Sequence, residues 1–197
     1  TCSLIQLKHT APQELLYSGF YWYRSGVTQT MLNALTDVSR AAEKEVNLEA
    51  GDVVLDIGAN DGTQLTTYSN PDLIKIGCEP AKNLIDSLRK VTPYAMHDFW
   101  EYDSYQKHLD TWNLAVDKKA KVITALGMFY DMEDPNQFVR DAAYALEKDG
   151  VFIAQLMCLA SMLEKNDIGN ICHEHIEYYS LKSLQYLFEN NGLEIYK

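Results

Sequence analysis

The chain is poor in basic residues. It carries 17 Lys and Arg against 28 Asp and Glu, a formal net charge of −11. A surface of that sign does not neutralise phosphates, so nucleic acid is excluded as a partner. No apolar run approaches the roughly 18–20 residues of a membrane span, and no signal peptide opens the chain. Cysteine is scarce and scattered, at Cys2, Cys78, Cys158 and Cys172, with no C-x-x-C pair. That usage fits a reducing, cytoplasmic compartment, and Cys78 and Cys158, in apolar runs, read as small core residues. Apolar residues are plentiful at 47%, with 13 Tyr, which excludes a disordered chain. The 197 residues suffice for one α/β domain with a sizeable core.

Residues 53–62 read Val-Val-Leu-Asp-Ile-Gly-Ala-Asn-Asp-Gly. An apolar run ends in Asp56, a glycine-bearing turn follows (Gly58, Gly62), and a helix pattern starts at Thr63. A second apolar run, Ile74 to Cys78, ends in Glu79. Strand, glycine turn, helix, strand and acid form the pattern of a dinucleotide-type site. The glycines let the backbone approach a ligand, and the acid accepts from ribose hydroxyls. The turn reads G-x-N-x-G and not G-x-G-x-x-G. Asp56 and Asp61 flank it, and two carboxylates repel a pyrophosphate. They suit a ligand with an amine and a sulfonium, which describes S-adenosylmethionine. D-x-G-x-N-x-G resembles motif I of the class I methyltransferases.

Periodicity predicts the remaining elements. Helices are expected near 27–46, 63–69, 81–90, 134–147 and 181–191. Strands are expected near 53–57, 74–78, 93–97, 121–125, 151–156 and 193–196. Residues 101–119 read as a helix with a long surface connection, and 17–26 as an irregular segment with four consecutive aromatics at 20–23. The alternation predicts an α/β fold: a doubly wound, mostly parallel sheet, Rossmann-like, with ligands at the carboxyl ends of its strands. Those ends carry Asp56, Gly58, Asn60, Asp61 and Gly62, then Glu79 and Pro80, then Asp98 and Phe99, then Thr124, Ala125 and Leu126. Asp98 is placed to accept from an adenine amino group and Phe99 to cover the ring.

Residues 169–180 read Gly-Asn-Ile-Cys-His-Glu-His-Ile-Glu-Tyr-Tyr-Ser. The register of a zinc-protease helix fails here, since Glu177 stands where its second histidine is needed. A metal site from His173, His175 and Glu177 is open on an extended segment, as is a hydrogen-bonded polar loop. The reading developed here is acid–base work. An imidazole takes a proton near neutral pH, and Glu174 or Glu177 would orient it.

Several segments together resemble the sugar C-methyltransferases, which act on nucleotide-linked deoxy-4-ketosugars in antibiotic and surface-polysaccharide pathways. They are the opening Cys-x-Leu-Ile-Gln-Leu, the Tyr-Trp-Tyr-Arg-Ser-Gly segment, motif I, the Asp-Pro-Asn-Gln-Phe-Val helix start and the His-Glu-His block. The resemblance covers nearly the whole chain. It implies three parts: a small N-terminal zinc domain, a central S-adenosylmethionine domain and a C-terminal domain. Residues 1–12 then correspond to a remnant of the zinc domain, with Cys2 matching its last ligand. Residues 13–197 correspond to the methyltransferase domain, truncated at its C-terminal end. Zinc would belong only to the missing N-terminal part. The resemblance further implies that His175 is the base, with Glu174 beside it, and that Tyr21 or Tyr23 polarises the ketone or holds the sugar. An enolate would take the methyl group, leaving S-adenosylhomocysteine. One departure stands out: Cys172 occupies a position where many members carry tyrosine, so that hydroxyl is absent or comes from Tyr178 or Tyr179. An O- or N-methyltransferase on another small molecule and a non-catalytic binding domain are the alternatives.

Overall fold

The computed structural model describes residues 3–197. Its centre is a five-stranded sheet whose neighbouring strands all run parallel. After a short strand β1 (Ile5–Gln6) and helix α1 (Gln29–Glu45), the sheet begins with β2 (Val53–Ile57). Then come α2 (Thr63–Thr66), β3 (Ile74–Cys78), α3 (Ile85–Val91), β4 (Tyr94–Met96) and α4 (Tyr102–Thr111). The second half adds β5 (Ala120–Leu126), α5 (Pro135–Ala145), β6 (Leu146–Gln155) and α6 (Leu159–Lys165). A short β7 (Glu177–Tyr178) and α7 (Leu181–Asn190) close the chain.

The strand order is β4-β3-β2-β5-β6. The chain winds outward from β2 to β4, then returns to β5 on the other side. This reversal opens a crevice between β2 and β5 at their carboxyl ends. Every residue of β2 is buried, as a strand covered on both faces requires. Val53, Leu55 and Ile57 pack into the cluster that holds Tyr105, Phe129, Phe138 and Phe188. Val54 joins the opposite cluster, with Ala42, Leu65 and Leu88. Two cores, one on each face, fix the register of β2, since a one-residue slip would exchange them. Helix starts follow ordinary capping chemistry. Asp134 accepts from the Gln137 N–H with Pro135 in the first turn, and Ser180 and Ser183 cap α7 reciprocally.

Two expectations need correction. Residues 193–196 form no strand. Gly192, at φ +88°, turns the chain, and Leu193 donates back to the Phe188 carbonyl. Leu193 and Ile195 pack on the core, so their alternation marks packing and not pairing. The last strand of the sheet starts at Leu146, directly after α5, and its register against β5 breaks between Ala120 and Val122. The segment at residues 5–6 pairs antiparallel with Glu177–Tyr178, so the N-terminal stretch is woven into the His-Glu-His region. Cys2, matched above to a zinc ligand, lies outside the described residues.

Candidate active site

The turn after β2 is built from left-handed backbone at Gly58 (φ +73°), Asn60 (φ +54°) and Gly62 (φ +85°). The N–H groups of Gly58 and Ala59 both donate to the Cys78 carbonyl, which ties the turn to the end of β3. A Cβ on Gly58 would come within 2.8 Å of Met128 Cγ, so glycine keeps this floor open. Glu79 follows β3, and its two carboxylate oxygens accept from Asn60 N–H at 2.8 Å and Ala81 N–H at 2.7 Å. Burial raises its pKa, while those two backbone donors pull it down. Asp56 accepts from the Thr124 hydroxyl at 2.6 Å. Burial pushes Asp56 up to about 7, with Thr124 opposing and the charge of Glu79 adding.

These groups line a cavity of about 540 Å³. Asp56, Gly58, Asn60, Glu79, Pro80 and Phe99 all reach its wall. Thr124 acts from behind, through Asp56, and Ala125 is fully buried within β5. Asp61 and Gly62 do not line the wall. Asp61 accepts from Gly26 N–H, Thr63 N–H and the Thr63 hydroxyl, so it shapes the turn. Gly62 packs against Leu88 and Val91. Asp98 is also elsewhere: its half-exposed carboxylate accepts from Ser104 and pairs with His108. The indole of Trp100 stands beside Phe99 on the wall, a neighbour the sequence pattern did not single out.

The aromatic segment lies over this crevice. Asn60 is its staple, accepting from Ser25 N–H and donating to the Tyr23 carbonyl. Asn83 makes the same two-way bond with the backbone of Tyr21. Tyr17, Tyr21 and Tyr23 turn inward to the cavity, whereas Phe20 and Trp22 face solvent, 63% and 87% exposed. The segment is thus an irregular strap whose rings alternate between cavity and solvent.

The cavity wall also includes Gln13, Tyr17, Tyr21, Tyr130, Asp131 and Met132. The turn after β5 supplies three of these, and sequence reading stopped at Leu126. The signal was a carboxylate within a few residues of a strand end on the functional edge. The His-Glu-His segment lies behind the same turn. Ile176 N–H donates to the Tyr130 carbonyl, and the Tyr17 hydroxyl to the Glu174 carbonyl. His175 packs edge-on to Tyr130, with ring centroids 4.7 Å apart, so Tyr130 stands between it and the cavity. Nδ1 of His175 lies 2.8 Å from the Asn170 carbonyl. A carbonyl only accepts, so Nδ1 carries the proton and Nε2 of the neutral ring holds a free lone pair. Tyr179 stacks on Phe129 in the core, and neither it nor Tyr178 lines the cavity. They do not replace the tyrosine missing at Cys172. Among the described residues, no group of three or more His, Cys, Asp or Glu is arranged to hold a metal ion, and no helix is long and apolar enough to cross a membrane.

A parallel sheet that reverses at a glycine turn, with an anchored acid after its second strand, is the frame of a nucleotide-cofactor site, and it is shared by the class I S-adenosylmethionine-dependent methyltransferases. Comparison with known proteins agrees. A methyltransferase-domain family model matches residues 28–197, and the chain belongs to that family. The C-methyltransferase NovU of Streptomyces niveus is 24% identical over 194 residues, which is 98% of this chain and 45% of that protein. The chain thus spans about half the length of this curated relative. Among solved structures, the magnesium protoporphyrin IX methyltransferase ChlM of Synechocystis PCC 6803, with bound S-adenosylhomocysteine, superposes with TM-score 0.59 at 11% identity, covering 89% of this chain and 82% of that one. The [4+2]-cyclase SpnF has TM-score 0.59 at 14% identity, covering 93% and 65%. At such identities the likeness shows the fold alone.

The cavity residues fit the cofactor of this class. Glu79 is held by two backbone N–H groups with lone pairs left for ribose hydroxyls, and Gly58 leaves room that a Cβ would fill. Phe99 and Trp100 offer the apolar surface an adenine needs.

Proposed function

We propose that this domain methylates a carbon of a nucleotide-linked 4-ketosugar through an enolate. S-adenosylmethionine supplies the electrophilic methyl group and leaves as S-adenosylhomocysteine. Asp56, Gly58, Asn60 and Glu79 would hold it, with Pro80 and Phe99 on the same cavity wall. The sugar occupies the rest of the cavity, where Tyr21 or Tyr23 polarises the ketone or holds the ring. His175 removes a proton from the carbon beside the ketone, and Glu174 next to it supports the charged imidazole.

The observation that carries this reading is the bond of His175 Nδ1 to the Asn170 carbonyl at 2.8 Å. It fixes the tautomer in which Nε2 can act as a base. The likeness to NovU, itself named a C-methyltransferase, supports carbon as the site of transfer. Tyr130 packs between the imidazole and the cavity, so its ring moves aside when His175 meets the substrate.

The test uses the full chain, a nucleoside-diphosphate-linked 4-keto-6-deoxyhexose and cofactor with a carbon-13 methyl group. The expected product carries the label on a ring carbon adjacent to the ketone, read by NMR. Label on oxygen or nitrogen would establish the O- or N-methyltransferase alternative instead.

A further inference from the structure

One buried acid on the cavity wall has no part in that mechanism. Asp131 is 6% exposed, lines the cavity, and its Oδ1 has no hydrogen-bond partner. Three tyrosines, Tyr17, Tyr21 and Tyr130, line the same wall. The backbone of Asp131 is fixed: the Gln13 side-chain amide donates to its carbonyl at 2.8 Å, and its own N–H donates to Met128. An unpartnered carboxyl oxygen at a buried position is costly unless a ligand satisfies it.

We propose that Asp131 is a catalytic residue that, as a neutral carboxylic acid, donates a hydrogen bond to the acceptor oxygen on which negative charge develops, with the Tyr21 hydroxyl as a second donor. This rests on the enolate reading. As His175 Nε2 takes the proton from carbon, the C–H pair becomes the C=C bond and the carbonyl π pair moves onto oxygen. That oxygen then needs donors and not a carboxylate. A protonated acid beside a tyrosine is a known solution to this problem in other folds.

The electrostatics agree with the geometry. Burial pushes Asp131 up to about 8, with the neighbouring Tyr17 hydroxyl pulling the other way and the charge of Glu174 adding. Burial and then the charge on Asp131 hold Tyr21 and Tyr130 each at about 12, so they stay protonated. Glu177, also buried, faces Asp131 from β7 and is likewise raised to about 8. The titratable groups around Asp131 are therefore Tyr17, Tyr21, Tyr130, Glu174 and Glu177. The role expected of a tyrosine at position 172, or of Tyr178 or Tyr179, falls to this carboxyl.

Two measurements on the full chain decide the matter. The first is difference infrared spectroscopy of wild type against Asp131→Asn at neutral pH. A carboxylic acid C=O band present in wild type, missing in the variant and lost above about pH 8 is expected. Its absence would overturn the proposal whatever the acceptor is. The second is exchange of the α-carbon proton of the same 4-ketosugar in deuterated water, with S-adenosylhomocysteine bound. Asp131→Asn keeps an N–H donor and should retain exchange within about tenfold, whereas Asp131→Leu should lose about 10²–10³-fold. Unchanged cofactor binding shows that each variant is folded. Full exchange by Asp131→Leu would overturn the role of Asp131. No exchange by wild type would instead overturn the ketosugar reading, and the infrared band would still decide the protonation of Asp131.

Discussion

The backbone N–H of Asn60 donates to Oε2 of Glu79 across 2.8 Å, which joins the glycine turn after β2 to the acid that ends β3. One carboxylate thus has two tasks, shaping the turn and facing the cavity. Replacing Glu79 by Ala leaves the Asn60 and Ala81 N–H groups without acceptors in a buried place. The expected loss of stability is about 1–3 kcal/mol for each. Glu79→Gln keeps one acceptor oxygen and should lose less. Denaturant midpoints of the two variants check the order, and equal midpoints for Glu79→Ala and wild type would refute it.

Gly58 has φ +73° and would place a Cβ 2.8 Å from Met128 Cγ. Gly58→Ala is expected to destabilise by about 1–2 kcal/mol from the left-handed backbone alone. The displaced Met128 side chain also moves into the cavity wall, so S-adenosylhomocysteine should bind more weakly. Calorimetry and chemical denaturation on one preparation read both effects. A stable variant with undiminished affinity would show that the turn has more freedom than its geometry indicates.

Stability should fall as pH rises through the neutral range. Asp56 is pushed to about 7, and Asp131 and Glu177 to about 8, mainly by burial. Their folded pKa values exceed the unfolded ones, so between about pH 4 and 8 the folded chain holds protons that the unfolded chain has released. Each group then removes up to about 1.4 kcal/mol per pH unit across its window. Glu43 and Asp52 have lowered pKa values and act in the opposite sense, at more acid pH. The ligand-free chain should melt at a higher temperature near pH 5.5 than near pH 8. A rise in melting temperature over that interval would contradict the burial argument.

His175→Gln and His175→Ala should lower kcat by about 10²–10⁴-fold and leave S-adenosylhomocysteine affinity unchanged, because the imidazole packs on Tyr130 and bonds the Asn170 carbonyl, and touches none of the groups proposed to hold the cofactor. Full turnover by His175→Ala would remove the base assignment.

Some of this was legible in the sequence and some was not, for physical reasons. Val53–Ile57 and Ile74–Cys78 were readable because both faces of a central parallel strand are buried, which leaves a continuous apolar run. Glu79 was readable because it ends such a run. Leu193 to Tyr196 misled, since alternation reports which side is buried and not whether a partner strand exists. Asp98 misled because position after a strand does not fix a rotamer, and Ser104 and His108 on α4 captured its carboxylate. The pairing of Ile5–Gln6 with Glu177–Tyr178 spans almost the whole chain and leaves no local trace. Asp131 looks in sequence like any solvated turn acid, and only the folded structure, with Gln13 bonded to its carbonyl, shows that it is buried.

Titration of S-adenosylhomocysteine into the full chain, with Glu79→Ala alongside, tests the cofactor site most directly. Micromolar binding that weakens about tenfold or more in the variant is predicted, as loss of charge-assisted hydrogen bonds requires. Equal affinity in the two proteins, or no binding by the wild type, would contradict the placement of the cofactor between Gly58 and Glu79.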